Sequence, residues 1–296
     1  MLTLSDEKHF FTFSKANKPV LRIKSGDHVK IKTMDCFSNQ IRKEEDQLEA
    51  INWELVNPAT GPIYIDEAKP GDVLKVTVER IDVGSLGVMA TGKDLGVFGS
   101  YFQGMCKKLI PIEGSVAHFN EQIKIPLNKM IGVIGVAPEG EGVNCGTPGS
   151  HGGNMDTKLI TEGASVLLPV FADGALFGTG DVHAAMGDGE VGVTGIEIDA
   201  NLTLHFEVLK GLTLNNPMIE KDEIISCIAS GENLEEAGLQ ATRDMYDYLS
   251  EQSALKGEEL AMLLSAVGDL QVSQVVDPLK TARFTIPKKY LKAIRH

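Results

Sequence analysis

Residues 174–190 read Gly-Ala-Leu-Phe-Gly-Thr-Gly-Asp-Val-His-Ala-Ala-Met-Gly-Asp-Gly-Glu, between two apolar, strand-like stretches at 165–171 and 191–198. A loop joining two buried strands has no need of so many glycines. They mark places where the backbone comes close to something, or turns where a Cβ would clash. The same run carries Asp181, His183, Asp188 and Glu190. Acidic groups beside a histidine point to a metal site or to acid–base chemistry. The plainer reading of the same residues is a tight hairpin with solvated carboxylates.

A second run of this kind, 138–156, follows the apolar stretch 130–137 and offers Glu139, Glu141, His151, Asn154 and Asp156. So long a loop inside a compact domain is either functional or disordered. Regular sequence resumes at Leu159 and Ile160, which favours order. Glycines in both runs allow the polar side chains to meet in one cleft.

Elsewhere the first half is written in strand period. At 28–33, Val29 and Ile31 alternate with Lys30 and Lys32, and at 73–81 Leu74, Val76 and Val78 alternate with Lys75 and Thr77. Both runs follow a Gly-Asp turn, Ser25-Gly-Asp27 and Pro70-Gly-Asp72, so the two segments share a turn-then-strand pattern. Residues 20–23, 62–65, 165–170, 191–198, 202–209 and 281–287 complete the expected strands. In the run 202–209, His205 falls on the polar face and reads as exposed.

Helical period appears only late. Asn233 and Glu236 form an N-terminal capping pair ahead of Ala237, Ala241, Met245 and Leu249 at four-residue spacing. A second helix is expected over 257–267. Strand–helix–strand alternation is absent, which disfavours a doubly wound sheet and a TIM barrel. The pattern predicts a mainly β, sandwich-like fold with α+β elaboration and late helices. Residues 1–215 would form a β-rich core holding the site loops, with 216–296 a mixed α/β portion packed on it.

The chain's 296 residues, 43% of them hydrophobic, are ample for a buried core. A formal charge of −13 is the wrong sign for a nucleic-acid footprint or an anionic membrane surface, and leaves a small neutral substrate unaffected. No basic region followed by an apolar stretch stands at the amino terminus, and no apolar run reaches membrane-spanning length, so a cytoplasmic protein is expected. The four scattered cysteines, Cys36, Cys106, Cys145 and Cys227, form no C-x-x-C pair. Phosphate-binding glycine loops, G-x-S-x-G and H-E-x-x-H are all missing.

Metal chemistry fits these residues best. In an extended segment Asp181 and His183 point the same way. Asp35, at the end of a predicted strand, joins Asp156 and Glu190 as further oxygen donors, though for Asp35 a solvated loop is the simpler reading. Zinc accepts mixed imidazole and carboxylate ligands, whereas an oxygen-rich site would instead hold calcium. A Cys145 nucleophile paired with His151 or His183 is the minor alternative.

At 152–156, Gly-Gly-Asn-Met-Asp, and at 173–190 the chain resembles the acetamidase/formamidase family. The second stretch is long and specific, and the resemblance runs from the early strands to the late helices. It implies hydrolysis of a short aliphatic amide, acetamide or formamide, to carboxylate and ammonia. It also implies a β-rich fold with duplicated elements, a homo-oligomer (a dimer or larger), and a divalent metal. Zinc is the metal expected near these loops, with calcium at an additional site. Carried onto this sequence, the metal candidates are Asp35, Asp156 and His183. Asp181 and Glu190 become proton-transfer candidates, and Glu190 or Glu141 the base that takes the water proton. The competing readings are a hydrolase of another small linear or cyclic amide, and a non-catalytic protein that binds metal or a small molecule.

Overall fold

The structure, a computed structural model, describes residues 1–294. Two sheets pack face to face, because each alternating strand has one apolar face to bury. The nine-stranded sheet runs in spatial order Leu2–Leu4, His28–Thr33, Ala200–Leu209, Val73–Val83, Ser165–Pro169, Met218–Lys221, Ile224–Gly231, Lys280–Pro287, Asp269–Gln274. The eleven-stranded sheet runs from Lys124–Pro126 through Val116–His118, Met105–Glu113, Leu86–Gly92, Glu197–Ile198 and Phe177–His183 to Met130–Gly135 and Gly152–Asn154. The strand Ala59–Ile65 joins its centre by pairing with Phe177–His183. Between the sheets, Leu202, Leu204 and Phe206 of the first meet Ile63, Phe177 and Val182 of the second. The rings of Phe177 and Phe206 bridge them edge to face, with centroids 5.0 Å apart.

The two Gly-Asp turns repeat in structure as they do in sequence. Gly26 and Gly71 adopt φ of +96° and +91°, where a side chain would be strained. Asp27 accepts from Lys24 N, and Asp72 from Lys69 N, each at 2.8 Å. The strand Leu21–Ile23 lies parallel to Ala59–Ile65 before the turns, with Ile23 beside Ile65. After the turns, His28–Thr33 and Val73–Val83 flank Ala200–Leu209 on its two sides.

Helix α1, Leu234–Gln252, begins where the capping pair places it, with Asn233 Oδ1 accepting from Glu236 N at 2.9 Å. The return bond differs: Glu236 accepts from Glu232 N. Helix α2 spans Gly257–Val267. Met245, Leu249, Leu260 and Leu264 of these helices pack on Ile225, Cys227, Phe284 and Ile286, forming a second core on the outer face of the nine-stranded sheet. Among the described residues, no helix is long and apolar enough to cross a membrane. His205 is half-buried on the polar sheet face, its ring stacked on His28 at 4.4 Å.

Two expectations change. The glycine-rich run is no loop: Phe177–His183 is a fully buried central strand. Its glycines admit neighbours, since a Cβ on Gly178 would fall 2.4 Å from the Phe10 ring and one on Gly180 2.2 Å from Pro58 O. Conversely, of the expected strand at 191–198 only Glu197–Ile198 is extended. Glu190 and Val193 adopt φ of +47° and +84°, so the chain curls instead of pairing.

Candidate active site

Polar side chains from five segments converge beside the strand Phe177–His183. The strand delivers Asp181 and His183, and the chain leaving Gly152–Asn154 delivers Asp156. The curled loop supplies Glu190 and the short strand after it Glu197, while the turn between Asp269–Gln274 and Lys280–Pro287 supplies Asp277. His183 Nε2 lies at the centre. It is 3.1 Å from Glu197 Oε2, 3.4 Å from Asp181 Oδ1, 3.8 Å from Asp156 Oδ1 and 4.0 Å from Glu190 Oε1. None of these side chains is more than 5% exposed.

The backbone is distorted to make this arrangement. Asp156, Asp181 and Glu190 adopt φ of +37°, +51° and +47°, a region that non-glycine residues enter at a cost and chiefly at functional sites. Gly132 leaves the space the acids occupy, for a Cβ there would lie 2.3 Å from Asp156 Oδ1 and 2.6 Å from Asp181 Oδ2. Gly195 does the same for the imidazole, where a Cβ would come 2.6 Å from His183 Nδ1. Glu190 is anchored by Gly195 N, which donates to its Oε1 at 2.9 Å.

Crowding acids around one histidine sets their charges against each other. Burial disfavours the charged imidazole, but the Glu197 and Asp181 carboxylates outweigh it and hold the His183 pKa well above its usual value. Burial works against ionised Asp181 too, and the attraction of His183 wins, leaving its pKa below the ordinary value. Burial, reinforced by the neighbouring acids, pushes Asp156 and Glu190 well up, and Glu197 to about 7. Asp277 is raised by burial and by Glu190; it hydrogen-bonds Asp156 and accepts from Asn154 Nδ2 at 3.1 Å.

Several buried atoms in this cluster have no hydrogen-bond partner: Asp156 Oδ1, both ring nitrogens of His183, and Glu197 Oε2. Leaving buried polar atoms unpaired is costly, so they are poised for something the protein chain does not supply. Two trios present donor atoms within 4.8 Å of one another: Asp156, His183 and Glu190, and Cys36, Asp181 and Glu197. Either donor set suits a divalent cation.

The cluster thus gathers Asp156, Asp181, His183 and Glu190 from the sequence-derived candidates. Asp35 is buried close by but stands in neither trio. Its Oδ1 accepts from Asn39 N at 2.7 Å, its Oδ2 is unpartnered, and burial raises its pKa to about 6. Glu141 is exposed on the turn ahead of the strand Val143–Asn144 and is not brought into the cluster. Cys145 packs among Phe13, Ala59 and Val133, where burial raises its pKa and keeps the thiol protonated. His151 sits edge-on to Phe13 and is held neutral by burial, its pKa lowered to about 4. Asp188 turns away to the buried Arg283, which donates to both its oxygens at 2.9 and 2.8 Å.

Three members escaped the sequence reading. A lone Glu197 in an apolar run was the available sign for that residue. Cys36 was visible only as one of four scattered cysteines. Nothing local marks Asp277, which the last hairpin brings in from far along the chain.

A cavity of about 180 Å³ opens on the cluster. Its lining includes the acids Asp181, Glu190, Glu197 and Asp277 and the apolar side chains of Phe37, Trp53, Val56, Leu95 and Val193. It is smaller than the ~300–1,000 Å³ of pockets for drug-sized ligands. A larger cavity of about 250 Å³, between residues 213–218 and α1, is lined by Asp244, Asp247 and Tyr248 and is separate from this cluster.

The profile of the Acetamidase/Formamidase family matches residues 13–144 and 140–291. A formamidase of Methylophilus methylotrophus is 23% identical over 90% of this chain and 86% of its own length. A putative formamidase of Schizosaccharomyces pombe is 26% identical over 66% of this chain, which spans 64% of that protein. Among solved structures, a predicted acetamidase/formamidase from Thermoanaerobacter tengcongensis superposes with a TM-score of 0.98 at 52% identity, covering 99% of this chain and 97% of that one. An acetamidase from Bacillus halodurans gives 0.97 at 46% identity, covering 99% of both. The profile spans most of the chain, the cluster included, and the superposed folds coincide nearly end to end: the chain belongs to the acetamidase/formamidase family.

Proposed function

We propose that this protein is an amidase that hydrolyses a short linear amide, formamide or acetamide, to the carboxylate and ammonia with the help of a divalent metal. The observation that carries the reading is the buried cluster of carboxylates around His183, with its unpartnered atoms, opening into a small cavity with an apolar wall. Membership of the family, whose relatives are formamidases and acetamidases by name, supports the reaction class.

The residues present fit a metal. Asp156, His183 and Glu190 would hold it, and the unpartnered Asp156 Oδ1 and His183 nitrogens are the atoms such an ion would satisfy. One imidazole with two carboxylates is a donor set that zinc accepts. When bound, the ion would supply positive charge for the amide oxygen and acidify a water.

The chain's own groups do the remainder. Asp181, its Oδ1 3.4 Å from His183 Nε2, takes the proton of the attacking water and returns it to the departing nitrogen. Glu197, with Oε2 3.1 Å from His183 Nε2, adds negative charge beside the imidazole. The C–N bond breaks as the new C–O bond completes the acid, and the protonated nitrogen leaves as ammonia. Amide resonance makes this carbonyl a poor electrophile, so fixed positioning carries much of the barrier reduction. That is the use of the three strained acids and of the glycines beside them.

The test is ammonia release from formamide, acetamide and propionamide by purified protein, before and after chelation and again after zinc is restored. Release that vanishes with chelation and returns with zinc supports the proposal. A folded, zinc-replete protein that releases no ammonia from any of them overturns it.

A further inference from the structure

The apolar wall of the cavity comes largely from one excursion of the chain. Residues 34–58 leave the strand His28–Thr33 and rejoin the sheet at Ala59–Ile65, with only the short 3-10 turns Leu48–Ala50 and Trp53–Leu55 between. Compact loops of this length are functional elements when they carry their own packing. This one is tied to itself. Asn57 N donates to Cys36 O at 2.8 Å. Gln40 accepts from Asn52 N at 2.8 Å and donates to Asn52 O at 3.2 Å and Phe37 O at 3.0 Å. Beneath it Ile41, Leu48 and Ile51 form a small core with Val88 and Ala90. The flap is therefore pre-formed, and it lays Phe37, Trp53 and Val56 along the cavity.

Trp53 is distinct among these. It lines the cavity yet is 49% exposed, and it is the chain's only tryptophan. Its turn is fixed from below, with Asn52 Oδ1 accepting from Glu54 N at 3.0 Å. A large ring held half in water at the edge of a small cavity gains buried area when a ligand fills the space beside it.

We propose that Trp53 is the specificity-determining residue of this site, bounding the cavity that the carboxylates also line and limiting the length of acyl chain an amide can carry. The inference rests on the amidase reading above. The carboxamide end needs the acids Asp181, Glu190, Glu197 and Asp277. The acyl end is left with Phe37, Val56, Leu95 and Val193, and Trp53 bounds that space. While room remains, each buried methylene improves binding about four-fold, from a transfer free energy of ~0.8 kcal/mol. Once the chain meets the indole, overpacking reverses the sign. Trp53 thus places the break in the series.

The experiment measures kcat/KM for formamide, acetamide, propionamide and butyramide with metal-replete wild type, W53A and W53F. Wild-type kcat/KM is expected to fall beyond a short acyl chain. W53A should move that break to a longer amide, raising the butyramide-to-acetamide ratio roughly fifteen-fold, as two further buried methylenes allow. W53F, which keeps an aromatic wall, should retain the wild-type ranking. A W53A ratio equal to that of the wild type overturns the inference, whatever happens to the absolute rates. If the wild type turns over no amide, the amidase reading falls, and calorimetric titration with the same amides decides this inference separately. An unchanged dependence of Kd on chain length in W53A, or no binding of any amide, overturns it.

Discussion

At the residue scale, the site depends on small groups as much as on charged ones. Gly132 has no side chain because Asp156 and Asp181 occupy its place. G132A should displace both carboxylates and lower kcat/KM by roughly 100-fold, the cost of a misplacement near 1 Å; steady-state kinetics and metal content by emission spectroscopy check it. D181N removes a proton acceptor with little change of shape. It should cut kcat by about 10²–10⁴-fold while KM changes little, and equal losses in binding would show that Asp181 acts otherwise. His151 tests the cost of burial instead. Its pKa, lowered from 6.5 to about 4 in the folded state, means the unfolded chain binds the extra proton first. The stability this contributes is present above pH 6.5 and lost as the pH falls towards 4, by about 3 kcal/mol. Thermal melts across that range should show a shallower acid loss for H151N than for the wild type.

At the element scale, the last hairpin holds the site loops in register. Arg283, 1% exposed, donates to both oxygens of Asp188, to Val272 O at 2.6 Å and to Ser273 Oγ at 3.2 Å. Lys158 adds a second cation on Asp188 at 2.9 Å. This joins the chain two residues beyond Asp156 to the chain two residues before Glu190, and both to the hairpin that carries Asp277. R283M leaves Asp188 with Lys158 alone and takes the buried donor from Gln271 Oε1, and should destabilise by about 1–3 kcal/mol in denaturant titration. R283K should rescue little of this, because a lysine cannot reproduce the two-pronged contact. Elements were also where sequence patterns read best. The strand His28–Thr33 and helix α2 fall where their periodicity puts them, and Asn233 caps α1. The stretch 191–198 was misread because its apolar composition suits a strand, while the curl at Glu190 and Val193 is set by what the loop must reach. Likewise the glycines of the strand Phe177–His183 looked like a loop, although their reason lies in the Phe10 ring and Pro58 O across the sheet.

At the scale of the whole molecule, a buried cluster rich in acids and poor in bases opposes folding unless protons or a cation neutralise it. Bound metal should therefore stabilise the fold as well as enable turnover. A ligand present at a thousand times its Kd adds about 4 kcal/mol, so chelation should lower the melting midpoint by several degrees, and zinc should restore it. An unchanged midpoint in calorimetry, with metal removal verified, would separate the cluster from any ion.

The sequence by itself determined the class of fold and the family, since hydrophobic period, turn chemistry and the 173–190 motif are local properties. It also put Asp156, Asp181, His183 and Glu190 among its candidates, with Asp35 and Glu141, because glycine-rich runs around acids and a histidine are legible without coordinates. Only the tertiary structure added Asp277, Glu197 and Cys36, set Glu141 at the surface, and left Asp35 beside the cluster. It also brought the flap with Trp53 over the cavity. These are contacts between segments far apart in the chain. Their geometry follows from how two sheets close on one core and which loops that closure leaves facing each other.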